Sequence, residues 1–350
     1  MRGLDITLPP NRACKVLCLV FLLICPLVAW AQASPQNGAE PANPPAESKS
    51  SSAPGQDNND SKVDEQGTFV IRKDVDEVML HATVVDDHQH IITNLDKSAF
   101  TVYEDGKPQN IISFHHIDIP VAIGIVIDNS GSMREKRAKV NQAALNLVRS
   151  SNPKDEVFVV NFNDEQYLDQ DFTNNLRKLK EALDKIDARG GTALYDAVVA
   201  SGDHLKQNGR LEKKVLFVVT DGEDNASNET LEQAVKQLQQ ENSPAIYAIG
   251  ILGDEEHPRR ARKALEILCQ RTGGIAFFPK TLDEVDAISR TIANDIRNQY
   301  AIGYKPSTPK GAGGFRQVRV EAKAKGHGKL VVRTKSGYYA GTQTASTGTK

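Results

Sequence analysis

Four nearly continuous apolar runs, Val121–Ile127, Val157–Phe162, Val215–Val219 and Ala245–Ile251, dominate the middle of the chain. A strand that is apolar at every position must be covered on both faces, which is the condition of a parallel sheet packed between helices. Helical stripes lie between these runs. Leu231, Ala234, Val235 and Leu238 recur at i, i+3, i+4 and i+7, as do Ala261, Ala264, Leu265 and Leu268. Leu176, Leu179, Leu183 and Ile186 form another stripe. The alternation predicts an α/β domain over residues 119–297, with a mostly parallel central sheet flanked by helices. No internal repeat accompanies it.

The flanks read as β structure. In the 67–118 segment, Val78, Leu80, Ala82 and Val84 alternate with Met79, His81 and Thr83, and Glu104-Asp105-Gly106-Lys107 marks a turn between two strand patterns. In the 298–340 segment, Gln299–Tyr304, Gln317–Ala322 and Leu330–Thr334 are strand-like and separated by glycine-rich turns. Two or three strands are marginal alone. The two blocks are therefore expected to join into one accessory β-sandwich beside the α/β domain.

Residues 1–33 have the order of a secretory signal. Arg2, Arg12 and Lys15 precede an apolar run from Val16 to Ala29, followed by Ala29-Trp30-Ala31 or Ala31-Gln32-Ala33 as a cleavage site. The run falls short of the ~20 residues of a membrane helix, so no stable span is expected after cleavage. Ile24 is bulky where processing of a lipoprotein at Cys25 needs a small residue. The protein is expected to be secreted or periplasmic. Residues 34–66 and 341–350 are poor in large apolar side chains and read as a disordered linker and tail. With Cys14, Cys18 and Cys25 inside the signal, Cys269 is left without an intramolecular partner and reads as a buried thiol.

A net charge of −2 over 350 residues carries no basic excess, which argues against nucleic acid as a partner. The charges are mixed along the chain, so no polybasic membrane segment stands out.

Chemistry concentrates where the apolar runs end. Open parallel sheets bind ligands at the carboxyl ends of their strands. The first run ends in Asp128-Asn129-Ser130-Gly131-Ser132, whose two-residue spacing can turn Asp128, Ser130 and Ser132 to one side of an extended loop. The third run ends in Thr220-Asp221-Gly222, and Gly190-Gly191-Thr192 stands just before a helix expected over Ala193–Gln207. Two carboxylates and three hydroxyls thus collect at one sheet edge. A donor set made only of oxygen suits a hard divalent cation such as Mg²⁺, Mn²⁺ or Ca²⁺ rather than zinc.

Asp128, Ser130, Ser132, Thr192 and Asp221 resemble, in order and spacing, the metal-ion-dependent adhesion site of the von Willebrand factor A (vWA) family. The resemblance covers roughly residues 120–297. The wider chain is similar to the vWFA-related proteins of acidobacteria, through Ser130-Gly131-Ser132-Met133, the Gly190–Asp196 and Thr220–Asn225 stretches, Val102–Gly106 and Ser336–Tyr339. The resemblance implies a Rossmann-like vWA domain in a bacterial protein. In it Ser130, Ser132 and Thr192 contact the metal, and Asp128 and Asp221 bind it directly or through water. It also implies a protein partner that presents an Asp or Glu carboxylate to an open coordination position of Mg²⁺. Some relatives hold a second ion just after the first motif; Arg134, Glu135 and Lys136 offer one acid there, so none is expected.

Asn129, Met133, Arg134, Asn163, Tyr195, Glu223, Asp224 and Asn225 are expected at the rim of the site, where they would tune partner choice. Asp86-Asp87-His88-Gln89-His90 reads as a solvated turn. No nucleophile elbow, P-loop or HExxH is present, and the chain is read as a binding module, not an enzyme. Two alternatives remain: an envelope scaffold in which the metal is structural, and a metal-assisted hydrolase.

Overall fold

The computed structural model describes residues 61–63, 69–71, 77–116, 118–185, 188–253 and 257–341. The expected signal segment, most of the expected linker and residues 342–350 of the expected tail lie outside the described residues. The last part of the expected linker departs from the sequence reading. Ser61–Val63 (β1) pairs antiparallel with Phe69–Ile71 (β2) as a small separate ladder.

The α/β domain is built on a six-stranded sheet. Its strands are β6 (Val121–Asp128), β7 (Glu156–Phe162), β8 (Gln166–Thr173), β9 (Lys213–Thr220), β10 (Ala245–Gly250) and β11 (Ala276–Phe277), in the order β11-β10-β9-β6-β7-β8. All neighbours are parallel except the edge pair β7–β8. Six helices cover it: α1 (Arg137–Arg149), α2 (Leu176–Leu183), α3 (Leu194–Asn208), α4 (Leu231–Leu238), α5 (Pro258–Thr272) and α6 (Glu284–Arg297). Ile186, counted in the stripe of α2, lies outside the described residues.

Strand periodicity sorts the core into two layers. Ile123, Ile125 and Ile127 of β6 point to one face with Val215, Phe217 and Val219 of β9, against Val140, Leu179 and Ile292 of α1, α2 and α6. Ala122 and Val126 point to the other, with Leu216 and Val218, against Val198, Leu238 and Leu265 of α3, α4 and α5. Both faces of β6 are therefore dry, and each of its eight residues is buried. Gly124 leaves room for the ring of Phe158, into which a Cβ would intrude. Cys269 is fully buried in the second layer, as expected.

The flanking segments do combine. The strands β3 (Val78–Val85), β4 (Phe100–Glu104), β5 (Lys107–His115), β12 (Tyr300–Lys305), β13 (Phe315–Ala322), β14 (Val331–Arg333) and β15 (Gly337–Tyr339) form one antiparallel sheet, ordered β14-β3-β12-β5-β4-β13-β15. The accessory β domain is thus a single sheet curled on itself, for β13 and β14 approach each other although they stand near opposite ends of the order. Leu80, Val102, Tyr300 and Ile302 fill its core. Inside, the hydroxyls of Tyr304 and Tyr338 donate to Oε2 of the buried Glu104, at 2.5 and 2.9 Å.

Polar contacts fasten the two domains. Asp295 of α6 accepts from Tyr247 of β10 and from Arg333 of β14, both at 2.7 Å. Gln299 donates to the Tyr247 hydroxyl at 3.0 Å and to Thr83 of β3 at 3.3 Å. The Tyr339 amide donates to the Gln239 carbonyl at 2.8 Å, just beyond α4. The β domain thereby anchors the last helix of the α/β domain and leaves the carboxyl edge of the sheet free.

Candidate functional site

Four of the five oxygen-bearing residues form one connected hydrogen-bond chain at that free edge. Asp128 closes β6. Its Oδ1 accepts from the Ser130 amide at 2.8 Å, and its Oδ2 accepts from the Thr220 hydroxyl at 2.6 Å. The hydroxyls of Ser130 and Ser132 stand 3.2 Å apart, and that of Ser132 donates to Asp221 Oδ1 at 2.8 Å. The chain turns sharply after Asp128 because a short 3₁₀ turn, Gly131–Met133, begins at Ser130. The two strand ends are brought together by their neighbouring registers in the sheet.

Thr192 reaches the same edge by a different device. Gly190 has φ +72, and a Cβ at Gly190 or Gly191 would collide with the Asp164 carboxylate. That carboxylate accepts from the Gly191 amide at 2.8 Å. The two glycines allow the loop to lie against Asp164 and beside the first motif, where the Gly131 amide meets the Gly190 carbonyl at 3.4 Å. Asn225 then holds Thr192 from the third loop. Its Oδ1 accepts from the Thr192 amide at 2.8 Å, and its own amide donates to the Thr192 carbonyl at 3.0 Å. Thr192 is buried, whereas Ser132 is open to solvent.

The electrostatics of the two carboxylates differ. Asp128 is fully buried, and the loss of solvent pushes its carboxyl up to about 6 despite the hydrogen bonds from Thr220 and Ser130. Asp221 instead has a cation at hand: Lys136 Nζ lies 2.5 Å from its Oδ2. Beneath the site, the buried guanidinium of Arg137 donates to Asn161 Oδ1 at 2.7 Å and touches the Asp128 carbonyl at 3.4 Å. Desolvation lowers its pKa to about 10.

The residues present fit a hard divalent ion. Every donor is oxygen, with neither thiolate nor imidazole among them, and the buried Asp128 carboxylate is raised by the desolvation that a nearby cation would offset. The described residues contain no group of three or more His, Cys, Asp and Glu side chains arranged for a metal, as befits a set in which hydroxyls outnumber acids.

The expected rim separates into two groups. Arg134 and Tyr195 remain at the surface or half-buried; Arg134 donates to the Ala188 carbonyl at 2.9 Å, and burial pushes the Tyr195 hydroxyl up to about 12. Glu223 is also partly exposed, 3.9 Å from Arg260. Of the others, Met133, Asn163 and Asn129 are buried, Asp224 is half-buried and Asn225 stays exposed while clamping Thr192. Met133 is buried in the hydrophobic core and is not a rim residue, because the 3₁₀ turn points it down against the sheet. Asn163 is buried, and its side chain accepts from the Glu165 amide at 3.1 Å. Asn129 is 6% exposed. Asp224 caps α3 by accepting from the Tyr195 amide at 2.9 Å, since Ala193 at the helix start has no capping side chain. The sequence reading missed Thr220, Lys136 and Asp164. Only Thr220 carried a signal, as the hydroxyl residue directly before Asp221.

A doubly wound α/β sheet with hydroxyl and carboxylate side chains converging from three loops at its carboxyl edge has the architecture of a vWA-type domain. Residues 123–223 match the model of the von Willebrand factor type A domain, and the chain carries that domain. Solved structures give a weaker likeness. One is a von Willebrand factor type A protein from Catenulispora acidiphila, at 14% identity over 77% of this chain and 75% of that one, with a TM-score of 0.44. Another is proximal thread matrix protein 1 from the mussel byssus with a zinc-occupied MIDAS motif, at 17% identity and a TM-score of 0.45 over 55% of this chain. The match spans only 50% of that mussel protein. The vWF domain of the type V pilus tip protein Mfa5 from Porphyromonas gingivalis matches over 51% of this chain and 97% of that one, at 12% identity and a TM-score of 0.40. No curated protein matches the chain.

Proposed function

We propose that the chain is an exported protein-binding module that holds a divalent cation, Mg²⁺ by preference, at Asp128, Ser130, Ser132, Thr192 and Asp221, and captures an Asp or Glu of a partner protein. The observation that carries this reading is the hydrogen-bonded run Thr220–Asp128–Ser130–Ser132–Asp221 at the free edge of the sheet. When bound, the ion supplies an open position for a carboxylate, because neutral hydroxyls and few acids leave its charge under-neutralised.

The chain's own residues set the rest. Thr220 and the Ser130 amide orient Asp128, Asn225 clamps Thr192, and the exposed Ser132 and Arg134 with the partly exposed Glu223 form the ground on which a partner would land. Residues 1–33 act as the export signal in this reading, and residues 34–66 space the module from its point of attachment. No helix among the described residues is long and apolar enough to cross a membrane.

The test is a pulldown from envelope and medium fractions with the full chain in Mg²⁺, in EDTA, and with Asp128→Ala in Mg²⁺. A partner captured only in the first arm supports the reading. An identical set of proteins in all three arms contradicts it. Capture that survives both EDTA and the substitution would favour a scaffold whose metal is structural.

A further inference from the structure

A pocket of about 430 Å³ opens beside the first motif, at the carboxyl ends of β6 and β7. It takes no wall from the accessory sheet and so lies clear of the seam between the two domains. We infer that this pocket binds one neutral saccharide unit of hexose size.

Three observations support it. First, the floor is built of amides. Asn129, Asn161 and Asn163 border the pocket, and each is at most 6% exposed. Asn161 is fully engaged, since its side chain accepts from Arg137 and donates to Asp169 Oδ2, both at 2.7 Å. Asn129 is not. Its backbone is pinned by the Phe162 carbonyl and the Arg189 amide, at 2.6 and 3.0 Å, yet its side-chain oxygen has no hydrogen-bond partner. A buried amide oxygen gains from any donor that reaches it, and a hydroxyl is such a donor. The last torsion of an asparagine is soft, so the amide can turn toward a ligand.

Second, the charges around the pocket are already paired. Asp169 and Asp184 are matched in number by Lys185 and Arg189. Lys185 lies 3.4 Å from Asp169 Oδ1, Asp184 pairs with Lys180, and Arg189 is engaged as well. A charged ligand finds no unpaired counter-charge among these four side chains. The chemistry that remains is neutral hydrogen bonding, which hydroxyl groups supply as both donors and acceptors.

Third, one wall is aromatic. Tyr167 of β8 stands directly opposite Asn161 in the ladder with β7 and is 43% exposed. Its hydroxyl donates to Glu165 at 3.0 Å, which holds the ring in place. The face of an aromatic ring is electronegative and attracts the C–H face of a pyranose, which an acyclic polyol lacks. The volume falls in the lower part of the about 300–1,000 Å³ range of small-ligand sites, room for one sugar ring. Asn129 stands between Asp128 and Ser130 in the chain, so sugar and ion would be neighbours, but the sugar's contacts need no ion.

The experiment uses the full chain in EDTA, so that a cation takes no part. Saturation-transfer NMR and calorimetry are run with the methyl glycosides of glucose, galactose, mannose and N-acetylglucosamine. Sorbitol serves as the acyclic control and N-methylacetamide as the peptide-like one. Saturable binding of at least one glycoside at millimolar concentration, absent with sorbitol, is expected. It should weaken at least tenfold in Tyr167→Ala and persist in Tyr167→Phe, because the ring face makes the contact. Asn129→Ala, with its folding checked by thermal unfolding, should weaken it too. No binding of any glycoside, equal binding of sorbitol, or an unchanged affinity in Tyr167→Ala would overturn the inference. So would binding of N-methylacetamide in place of the glycosides, which would point to a peptide, or binding seen only on adding Mg²⁺, which would put the sugar on the ion. Failure of the partner pulldown alone would count against the metal reading and leave the saccharide pocket standing.

Discussion

The ammonium of Lys136 and the Oδ2 of Asp221 lie 2.5 Å apart, with both side chains largely shielded from solvent. The pair spans 85 residues of chain and joins the start of the first helix to the end of the third long strand. A lysine in this position supplies in part the positive charge that a divalent ion would bring, so the two compete for one carboxylate. Lys136→Gln is therefore expected to bind Mn²⁺ more tightly, by about tenfold, equivalent to ~1.4 kcal/mol. Calorimetric titration of both proteins checks this. Equal or weaker binding by the variant would show that the lysine positions Asp221 instead of competing for it.

Gly190 carries the loop of Thr192 through a left-handed conformation pressed against Asp164. Gly190→Ala meets both the conformational penalty and a collision, and should cost more than ~1 kcal/mol of stability. Metal affinity should fall in parallel, since Thr192 is displaced. Denaturant unfolding and metal titration of the same preparation would report both effects; loss of neither would mean that the loop adapts freely.

The fastening of α6 offers a third measurement. Asp295 is 3% exposed and holds Arg333 and Tyr247 together. Asp295→Ala leaves the Arg333 charge without its partner and should lower stability by roughly 3 kcal/mol. Replacing both residues by Met and Leu should restore much of it, because the pair's desolvation disappears as well. A loss below ~1 kcal/mol in the single variant would contradict this account.

Acid should loosen the seam. Burial and the neighbouring lysines lower the pKa of His81 from 6.5 to about 3, so as pH falls through 6.5 the unfolded chain takes up a proton that the folded chain refuses. Stability from this group is whole above 6.5, declines toward 3, and is fully lost below. His81→Gln should flatten the fall in unfolding midpoint between pH 7 and 4. Parallel curves for the two proteins would place the acid sensitivity elsewhere.

Much of this fold could be read from the apolar runs, because strands buried on both faces leave no other pattern. The meeting of Asp128, Ser130, Ser132, Thr192 and Asp221 at one sheet edge was equally legible, since each sits just after a strand or before a helix. What escaped reading has physical causes. β8 is a mixed, largely exposed edge strand, so Gln166–Thr173 shows neither a continuous apolar run nor clean alternation. Lys136 has no sequence signal, because nothing local tells a helix-start lysine to reach a carboxylate on another strand. Asp224 and Asn225 looked like rim residues. Both also serve the fold: Asp224 caps a helix that begins at Ala193 without a cap of its own, and Asn225, still exposed, clamps a threonine. A polar loop beside a site serves its own helices before it serves a ligand.

The strand order of the accessory sheet also dictates a sequence of events in time. β3 has neighbours only in β12 and β14, so its pairing partners follow the whole vWA domain along the chain. As the chain lengthens, β4 and β5 can form their hairpin early, but β3 waits with both edges bare while residues 121–297 collapse around their own sheet. Non-local pairing of this kind is slow to form. The domain that carries the candidate site can thus mature first, and the accessory sheet closes last, when Tyr300 reaches Ala82.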